Sequence, residues 1–498
     1  MVAGSDKRIL TDLIANLIDE IGPGHMASTA YDTAWVARLG QVDPSLSNRA
    51  LTWITRNQLP DGSWGAPAPL YYHDRVICTL AAMIALTYRG QRQADKTQIE
   101  YGKLALERIV GGATGGLSAD PNGATVGFEM IAPTLVTEAE RLGLIKSQGG
   151  RILGRLSILR NKKLAYLRNN MINRNVTLAF SAEMAGGDGK HMLDVENLQE
   201  ANGSVGVSPS ATAYFATYIK KGDEASLNYL REIIKPEGGF PNVAPFDVFE
   251  IAWALWNLSF IPDLKKNAKL KPHLDFLSNA WQPARGVGFA AGYSVKDSDD
   301  TGLVYDTLMR FGIEKDLASV LSYEEKDHFR CFELEANASI SANIHVLGAL
   351  GQAGLDLKNS SFLKVIKYLQ KTRGSNPFWI DKWHSSAYYA TAHAVIACAG
   401  LANHLVEDSV AWILSSQNAD GSWGTYLKTA EETAYALQAL SVWNEKVGRV
   451  PKSAFKKGAR WLTENMDKPY PPLWIGKCLY SPNLVIRSAV ISALALAG

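Results

Sequence analysis

Three carboxylates crowd into four residues at Asp297-Ser298-Asp299-Asp300, followed by Thr301. They come just after a Gly-rich stretch ending at Tyr293. An apolar face then begins with Val304, Leu308 and Phe311, so the acids lie at a helix start. Carboxylates this close cannot all ionise cheaply if they are partly buried. Like charges and desolvation raise the pKa of at least one, which then keeps its proton. A free Asp, with a pKa of about 3.9, is mostly ionised at neutral pH and useless as an acid. The helix N-terminus works the other way: it favours the anion, and it steadies the conjugate base once the proton has left. From the acids alone three readings stand: a proton donor, an N-cap with solvated acids, and a carboxylate site for Mg²⁺.

The elements that must position these acids are helical. Segments such as Val76-Ile77-Cys78-Thr79-Leu80-Ala81-Ala82 and Glu432-Thr433-Ala434-Tyr435-Ala436-Leu437 carry broad apolar faces rich in Ala and Leu, and strand alternation is rare. The fold class read from this is all-α. A chain of 498 residues exceeds one ordinary core. An internal repeat supplies the architecture: Gln58-Leu59-Pro60-Asp61-Gly62-Ser63-Trp64-Gly65 recurs as Gln417-Asn418-Ala419-Asp420-Gly421-Ser422-Trp423-Gly424. Looser echoes stand at Glu237-Gly238-Gly239-Phe240 and Arg285-Gly286-Val287-Gly288-Phe289. Asp-Gly makes a tight turn, and a Trp stacked on the Gln would pin one helix to the next. Helical hairpins stapled in this way predict α/α barrels, and two distant copies predict two of them. A Lys-rich, then Pro- and Gly-containing stretch at 267–286 is the candidate crossing.

Composition removes other classes. Hydrophobic residues at 47% and charged residues at 20% are a globular balance, and a net charge of +2 leaves no electrostatic footprint for nucleic acid. Cys78, Cys331, Cys398 and Cys478 show no pairing rhythm and no CxxC, so a reducing, cytoplasmic setting is expected. The first residues have no apolar signal core, and no apolar run reaches the ~18 residues of a membrane span. Aromatic residues are abundant (13 Trp, 19 Tyr, 15 Phe). They fill a helical core or line a pocket for an apolar, transiently cationic ligand, whose charge their faces attract.

Together these features resemble the class II terpene cyclases, whose hallmark Asp-X-Asp-Asp-Thr reads here Asp297-Ser298-Asp299-Asp300-Thr301. Further blocks resemble the diterpene cyclases among them: Ser28-Thr29-Ala30-Tyr31-Asp32-Thr33-Ala34-Trp35, His73-Asp74-Arg75, Gly127-Phe128-Glu129-Met130, Asn202-Gly203-Ser204, Asp247-Val248-Phe249-Glu250 and Asp381-Lys382-Trp383-His384. The likeness runs from about residue 28 onward and is strongest to the bacterial halimadienyl (tuberculosinyl) and kolavenyl diphosphate synthases. It implies two α/α barrels, β and γ: residues 1–20 as the first helix of β, 21–285 as the inserted γ barrel, and 286–498 as the rest of β. It implies Asp299 as the proton donor, with Asp297 and Asp300 holding its proton in place and steadying the anion. Some halimadienyl-type enzymes carry Thr where Asp300 stands, which makes Asp300 a tuning residue. The partner implied is a small molecule, geranylgeranyl diphosphate. Its diphosphate survives, because no Asp-Asp-x-x-Asp of the ionising class is present.

The resemblance also implies Mg²⁺, but with an open ligand set. Plant relatives carry a run of acids before Gly-Phe-Glu, where this chain, from Gly115 to Ala124, has only Asp120. Basic candidates for the diphosphate are Arg75, Lys382, Lys477 and Arg487, each equally readable as a surface charge. Plant copalyl-type enzymes hold a His–Asn pair that supports a terminating water. The Asn matches Asn242, and Phe180 stands at the His position. Phe has no lone pair to offer. The bicyclic cation is therefore expected to survive long enough for hydride and methyl shifts, giving a rearranged product of clerodane type (kolavenyl diphosphate). Halimadienyl and unrearranged copalyl-type products are the alternatives.

Phe180, Asn242, Trp383, His384 and Tyr388 are the expected pocket residues. His345 and His393 read as core histidines or pocket residues, and Tyr31, Asp32 and Trp35 as barrel packing. Squalene-type cyclases, zinc-dependent prenyltransferase subunits, α/α-barrel glycosidases and a non-catalytic prenyl-lipid-binding barrel are the rival readings.

Overall fold

The computed structural model describes residues 2–24, 26–90, 92–111, 123–146, 150–165, 171–187, 189–333, 335 and 337–497. The repeated turns are hydrogen-bonded clamps. In the second copy Asp420 Oδ1 accepts from the Ser422 N–H (3.2 Å) and hydroxyl (2.7 Å). Gln417 Nε2 donates to Gly421 O and, on the outer helix Lys452–Asn465, to Ala454 O, both at 3.0 Å. The Trp423 indole N–H reaches Ile413 O, near the end of the preceding helix, at 2.7 Å. The Trp therefore pins the helix through its N–H, satisfying a carbonyl that a helix end leaves open. Gly421 has φ +100°, and a Cβ there would lie 2.4 Å from Lys457 O, so the turn requires glycine. Gln58 and Trp64 repeat the pattern, with Trp64 Nε1 at 2.8 Å from Ile54 O. A third clamp, at Gln199–Gly203–Ser204 with Val205 in the Trp position, shares the turn bonds, with Gln199 reaching the side chains of Asp223 and Ser226, and was hidden in the sequence by the missing Trp.

The clamped hairpins close into two rings. In the first, Ala30–Ala37, Tyr72–Arg89, Phe128–Arg141, the 3₁₀ segment Thr177–Ala185 and Pro209–Tyr214 pack in order, and the last returns to the first. In the second, the inner helices are Asp247–Leu258, Ser298–Arg310, Ile340–Gln352, Ala387–Cys398, Ala430–Lys446 and Asn483–Ala497, which again closes on Asp247–Leu258. Outer helices such as Pro44–Arg56 and Ser360–Arg373 pack against the inner ones. Each ring has its own apolar core. Leu17, Ile18 and Ile21, at the end of helix Val2–Glu20, belong to the second core. The chain thus starts on the second ring, builds the first, and returns.

Where it leaves and where it returns lie side by side: Ser28–Thr29 pairs antiparallel with Phe240–Pro241. The packing changes cores between Phe240 and Val243. This is well before the stretch 267–286 that composition suggested as the crossing and before the expected boundary at 285. That stretch includes the outer helix Lys271–Ala280, whose buried Leu274 and Leu277 pack in the second core. Its lysines mark a solvated face. Among the described residues no helix is long and apolar enough to cross a membrane.

The clamps carry a stability prediction. Trp423 is fully buried, so Trp423→Ala is expected to cost about 3–5 kcal/mol, read as a lower urea midpoint with an unchanged slope.

Candidate active site

A cavity of about 280 Å³ opens between the rings. The first ring contributes Val126, Gly127, Lys163, Val176 to Leu178, Phe180 and Ser181 to its lining. The second contributes the acids and an aromatic wall. On the helix Asp247–Leu258, Phe249 stacks on Trp253 at 3.8 Å and on Phe246 at 4.3 Å, and it meets the edge of Trp474 at 5.3 Å.

The three acids sit at the N-terminus of Ser298–Arg310 and differ sharply in surroundings. Asp297 caps the helix, its Oδ1 accepting the Asp300 N–H at 2.8 Å. Its Oδ2, like Asp300 Oδ1, is buried without a hydrogen-bond partner among the described residues. Burial raises Asp297 to about 7. Burial, then the neighbouring Asp297 and Asp299, raises Asp300 well above the usual carboxylate range. Desolvation therefore outweighs the helix terminus at both. Asp299 is the partly open member and lines the cavity. Its Oδ1 lies 2.6 Å from His345 Nδ1.

Close helix packing makes that contact. A Cβ on Gly302 would lie 3.0 Å from the backbone of His345 and Val346, and one on Gly348 would lie 3.2 Å from Asp306 Oδ2. The two helices meet through these glycines. Thr301 fixes the other side: its hydroxyl donates to Val287 O (3.1 Å) and accepts the Val287 N–H (3.0 Å). The array presents one carboxyl to an apolar, aromatic cavity, backed by a histidine and flanked by two carboxyls that resist ionisation. Such a group can protonate a weakly basic carbon in the absence of water.

Asp297, Asp299, Asp300, Phe180, Asn242, Lys382 and Trp383 all line the cavity. His384 and Tyr388 do not. His384 is fully buried behind Trp474, with Nε2 at 3.1 Å from Glu431 and Nδ1 accepting the Ser386 N–H. Tyr388 stacks on Trp412 at 4.6 Å. Each flanks the start of a tightly packed inner helix, which explains the aromatic signal without a cavity.

Of the basic candidates Lys382 lines the cavity, and Arg75, Lys477 and Arg487 do not. Arg75 is spent on the first clamp, bonding Asp61, Ser63, Ala66 O and Pro67 O. Arg487 pairs with Glu20 at the surface. Lys477 is fully buried and bonded to Glu183 (2.6 Å), Ser208 and Ser210 (both 2.7 Å). Lys382 pairs with Glu335, which takes the Cys331 N–H, and Cys331 O takes the Ser298 N–H. Lys382 thus stands beside the acid helix. The cation lining the cavity from the first ring is Lys163, paired with Glu129. Lys163 is one of five basic residues on the helix Gly150–Leu164, with Arg151, Arg155, Arg160 and Lys162, so its sequence position did not single it out. Asp120 lies outside the described residues.

Phe180 lines the cavity while Lys477 Nζ lies 4.5 Å from its ring centroid. Asn242 Nδ2 donates to Asp32 Oδ2 at 2.9 Å. Behind Phe180, Glu183 Oε1 is taken by Lys477, Tyr31 and Ser210.

A profile of the squalene-hopene cyclase C-terminal domain matches residues 332–470. The chain is 46% identical to a protein named type B diterpene cyclase from Mycobacterium tuberculosis (strain ATCC 25618 / H37Rv), over 95% of this chain and 96% of that one. It is 28% identical to an ent-copalyl diphosphate synthase of Streptomyces sp. (strain KO-3988), over 96% of this chain and 94% of that one. Among solved structures, ent-copalyl diphosphate synthase from Streptomyces platensis superposes with a TM-score of 0.77 at 27% identity, over 99% of both chains.

The raised acids predict a pH effect on stability. The folded chain keeps a proton on Asp297 to about pH 7, and holds one on Asp300 well above the usual carboxylate range, where unfolded carboxyls release theirs near pH ~3.9. Their contribution is fully present below about pH 4 and is lost as pH rises toward the folded values. Asp300→Asn cannot ionise. Its melting temperature relative to wild type is expected to rise as pH rises from ~4 toward neutrality, and thermal melts across that range check it.

Proposed function

The chain belongs to the class II diterpene cyclases, and on that premise we propose that it converts geranylgeranyl diphosphate into a rearranged bicyclic diphosphate of clerodane type, kolavenyl diphosphate. Like its relatives it is an intramolecular isomerase: a proton enters, rings close, and a proton leaves. Asp299 donates to the terminal double bond. The His345 contact and the first helical turn steady the carboxylate left behind. The apolar cavity folds the prenyl chain and excludes water that would quench the cation.

The observation that carries the clerodane reading is the wall around Phe180. Val176, Thr177, Leu178, Phe180, Ser181 and Asn242 line it without an ionisable base. Behind it Asp32 is bonded to Thr29, Ser210 and Asn242, and Glu183 Oε1 to Lys477, Tyr31 and Ser210, while Glu183 Oε2 is buried without a partner among the described residues and its charge is met by Lys477. A cation formed there is not deprotonated at once. Hydride and methyl shifts then carry the charge round the decalin to the carbon bonded to the one first protonated. The Asp299 carboxylate is placed to take the proton lost at that end, so the acid is regenerated.

The diphosphate is proposed to lie against Lys163, the cavity cation supplied by the first ring. Mg²⁺ suits the same end: it binds through one or two carboxylates together with substrate phosphates, and Glu129, beside Lys163, is a hard-oxygen donor there. When bound, the ion neutralises the diphosphate.

The test is incubation with geranylgeranyl diphosphate and Mg²⁺, phosphatase treatment, and mass spectrometry with NMR. Wild type is expected to give the clerodane alcohol, Asp299→Asn to lose about a hundredfold to ten-thousandfold in rate, and Phe180→His to divert product toward the unrearranged skeleton. An unrearranged or halimadane product from wild type would sink the clerodane reading, and geranylgeraniol alone would leave only a prenyl-binding barrel.

A further inference from the structure

A line of buried groups runs from the acid into the second ring. Asp299 Oδ1 meets His345 Nδ1 at 2.6 Å, and His345 Nε2 meets His393 Nδ1 at 2.8 Å. There the line stops. His393 is 2% exposed, and its Nε2 is buried without a hydrogen-bond partner among the described residues. Trp256 and Tyr389 stand 4.5 Å from its ring, and Tyr435 stands edge-on at 5.8 Å. Trp256 is itself fixed, its indole N–H donating to Asp306 Oδ2 at 2.7 Å. Asp306 lies on the acid helix, two turns beyond Asp299.

We propose that His393 is a positioning residue for the acid: its Nδ1–H holds the His345 ring with Nε2 as acceptor and Nδ1–H as donor to Asp299. A neutral imidazole has one donor and one acceptor nitrogen. Two neutral rings bonded in line therefore donate in the same direction, which leaves two arrangements. If both donate away from Asp299, the acid must spend its own proton on His345, and His393 buries an N–H with no acceptor. If both donate toward Asp299, its Oδ1 receives an N–H, its proton sits on the other oxygen for the substrate, and His393 buries only a bare lone pair.

An orphaned N–H is the rarer defect in folded proteins, so the second arrangement is favoured. It also supplies a donor to the oxygen that becomes anionic as the proton leaves. Burial, together with His345 and His384 facing it, holds His393 below the ordinary histidine range and so keeps it neutral. His345 touches the acid, and His393 acts only through His345.

His393→Phe keeps a ring and removes both nitrogens. Its kcat with geranylgeranyl diphosphate is expected to fall about tenfold to a hundredfold with KM unchanged. In His393→Asn an amide N–H can occupy the Nδ1 position, and most of the loss is expected to be recovered. In ¹⁵N-histidine NMR of the wild-type protein, His345, assigned by the signal missing in His345→Phe, is expected to carry its proton on Nδ1. A His393→Phe enzyme with wild-type kcat, a loss confined to KM, or a His345 protonated only on Nε2 would each overturn the proposal. If His393→Phe does not fold, the wild-type spectrum decides. The kinetic arm rests on the substrate proposed above and the spectrum does not, so failure of one reading is distinguishable from failure of the other.

Discussion

A carboxyl group that is to protonate an alkene at neutral pH has to be kept dry, and the burial of the first turn of Ser298–Arg310 is the constraint around which the second ring is arranged. Burial leaves Asp297 Oδ2, Asp300 Oδ1 and the Ser298 hydroxyl without partners among the described residues, a defect that costs free energy at each atom. It persists because the surroundings are over-determined. Thr301 clamps the preceding loop at Val287, and the Asp297 N–H donates to Val287 O. Gly302 and Gly348 let two inner helices approach backbone to backbone. That approach delivers His345 to Asp299. Strain at the acid is thus held by a closed ring of helices that cannot relax one at a time.

The cavity exists only while the two rings keep their register. The hairpin of Trp474–Ile475 and Leu479–Tyr480 leaves the second ring and inserts Cys478 into the first core. Its Lys477 pairs with Glu183 of the first ring, both nearly or fully out of water. A buried ion pair is weak evidence for net stability, but separating it strands two desolvated charges, which costs about 3–5 kcal/mol. Slippage between the rings is penalised in that way. Ser294 of the second ring donating to Glu200 of the first at 2.6 Å adds a second pin. The paired strands Ser28–Thr29 and Phe240–Pro241 hold together the two points where the chain crosses.

The all-α class, the clamps and the acid helix were legible because each rests on local chemistry: period, turn residues and three acids at a helix start. The boundary was not, since the composition shift at 267–286 follows solvent exposure rather than a change of core. Arg75, Arg487, His384 and Tyr388 misled for a common reason. Charge and aromaticity announce that a side chain needs a partner, while the partner is chosen by long-range packing: Asp61, Glu20, Glu431 and Trp412 respectively. His345 and His393 were seen only as histidines on apolar helices. Their alignment with Asp299 depends on the approach at Gly302, which one sequence cannot reveal.

The same packing bears on which way positive charge moves in the cavity. Phe180 lines the cavity, and an aromatic face attracts a cation. Lys477 Nζ, 4.5 Å from the centroid, already draws on that ring. A second cation against Phe180 meets an ammonium that is already paired with Glu183. Among the described residues no ammonium lies over Trp474 or Phe249, and these rings lead through Trp253, edge-on to His345 at 5.4 Å, toward the acid. On the proposed mechanism the field across the cavity falls from the Phe180 wall toward Asp299 once that group has given up its proton. A cation born in that field is drawn back toward the carbon where the reaction began, and this is the direction in which hydride and methyl shifts must run to reach the clerodane skeleton.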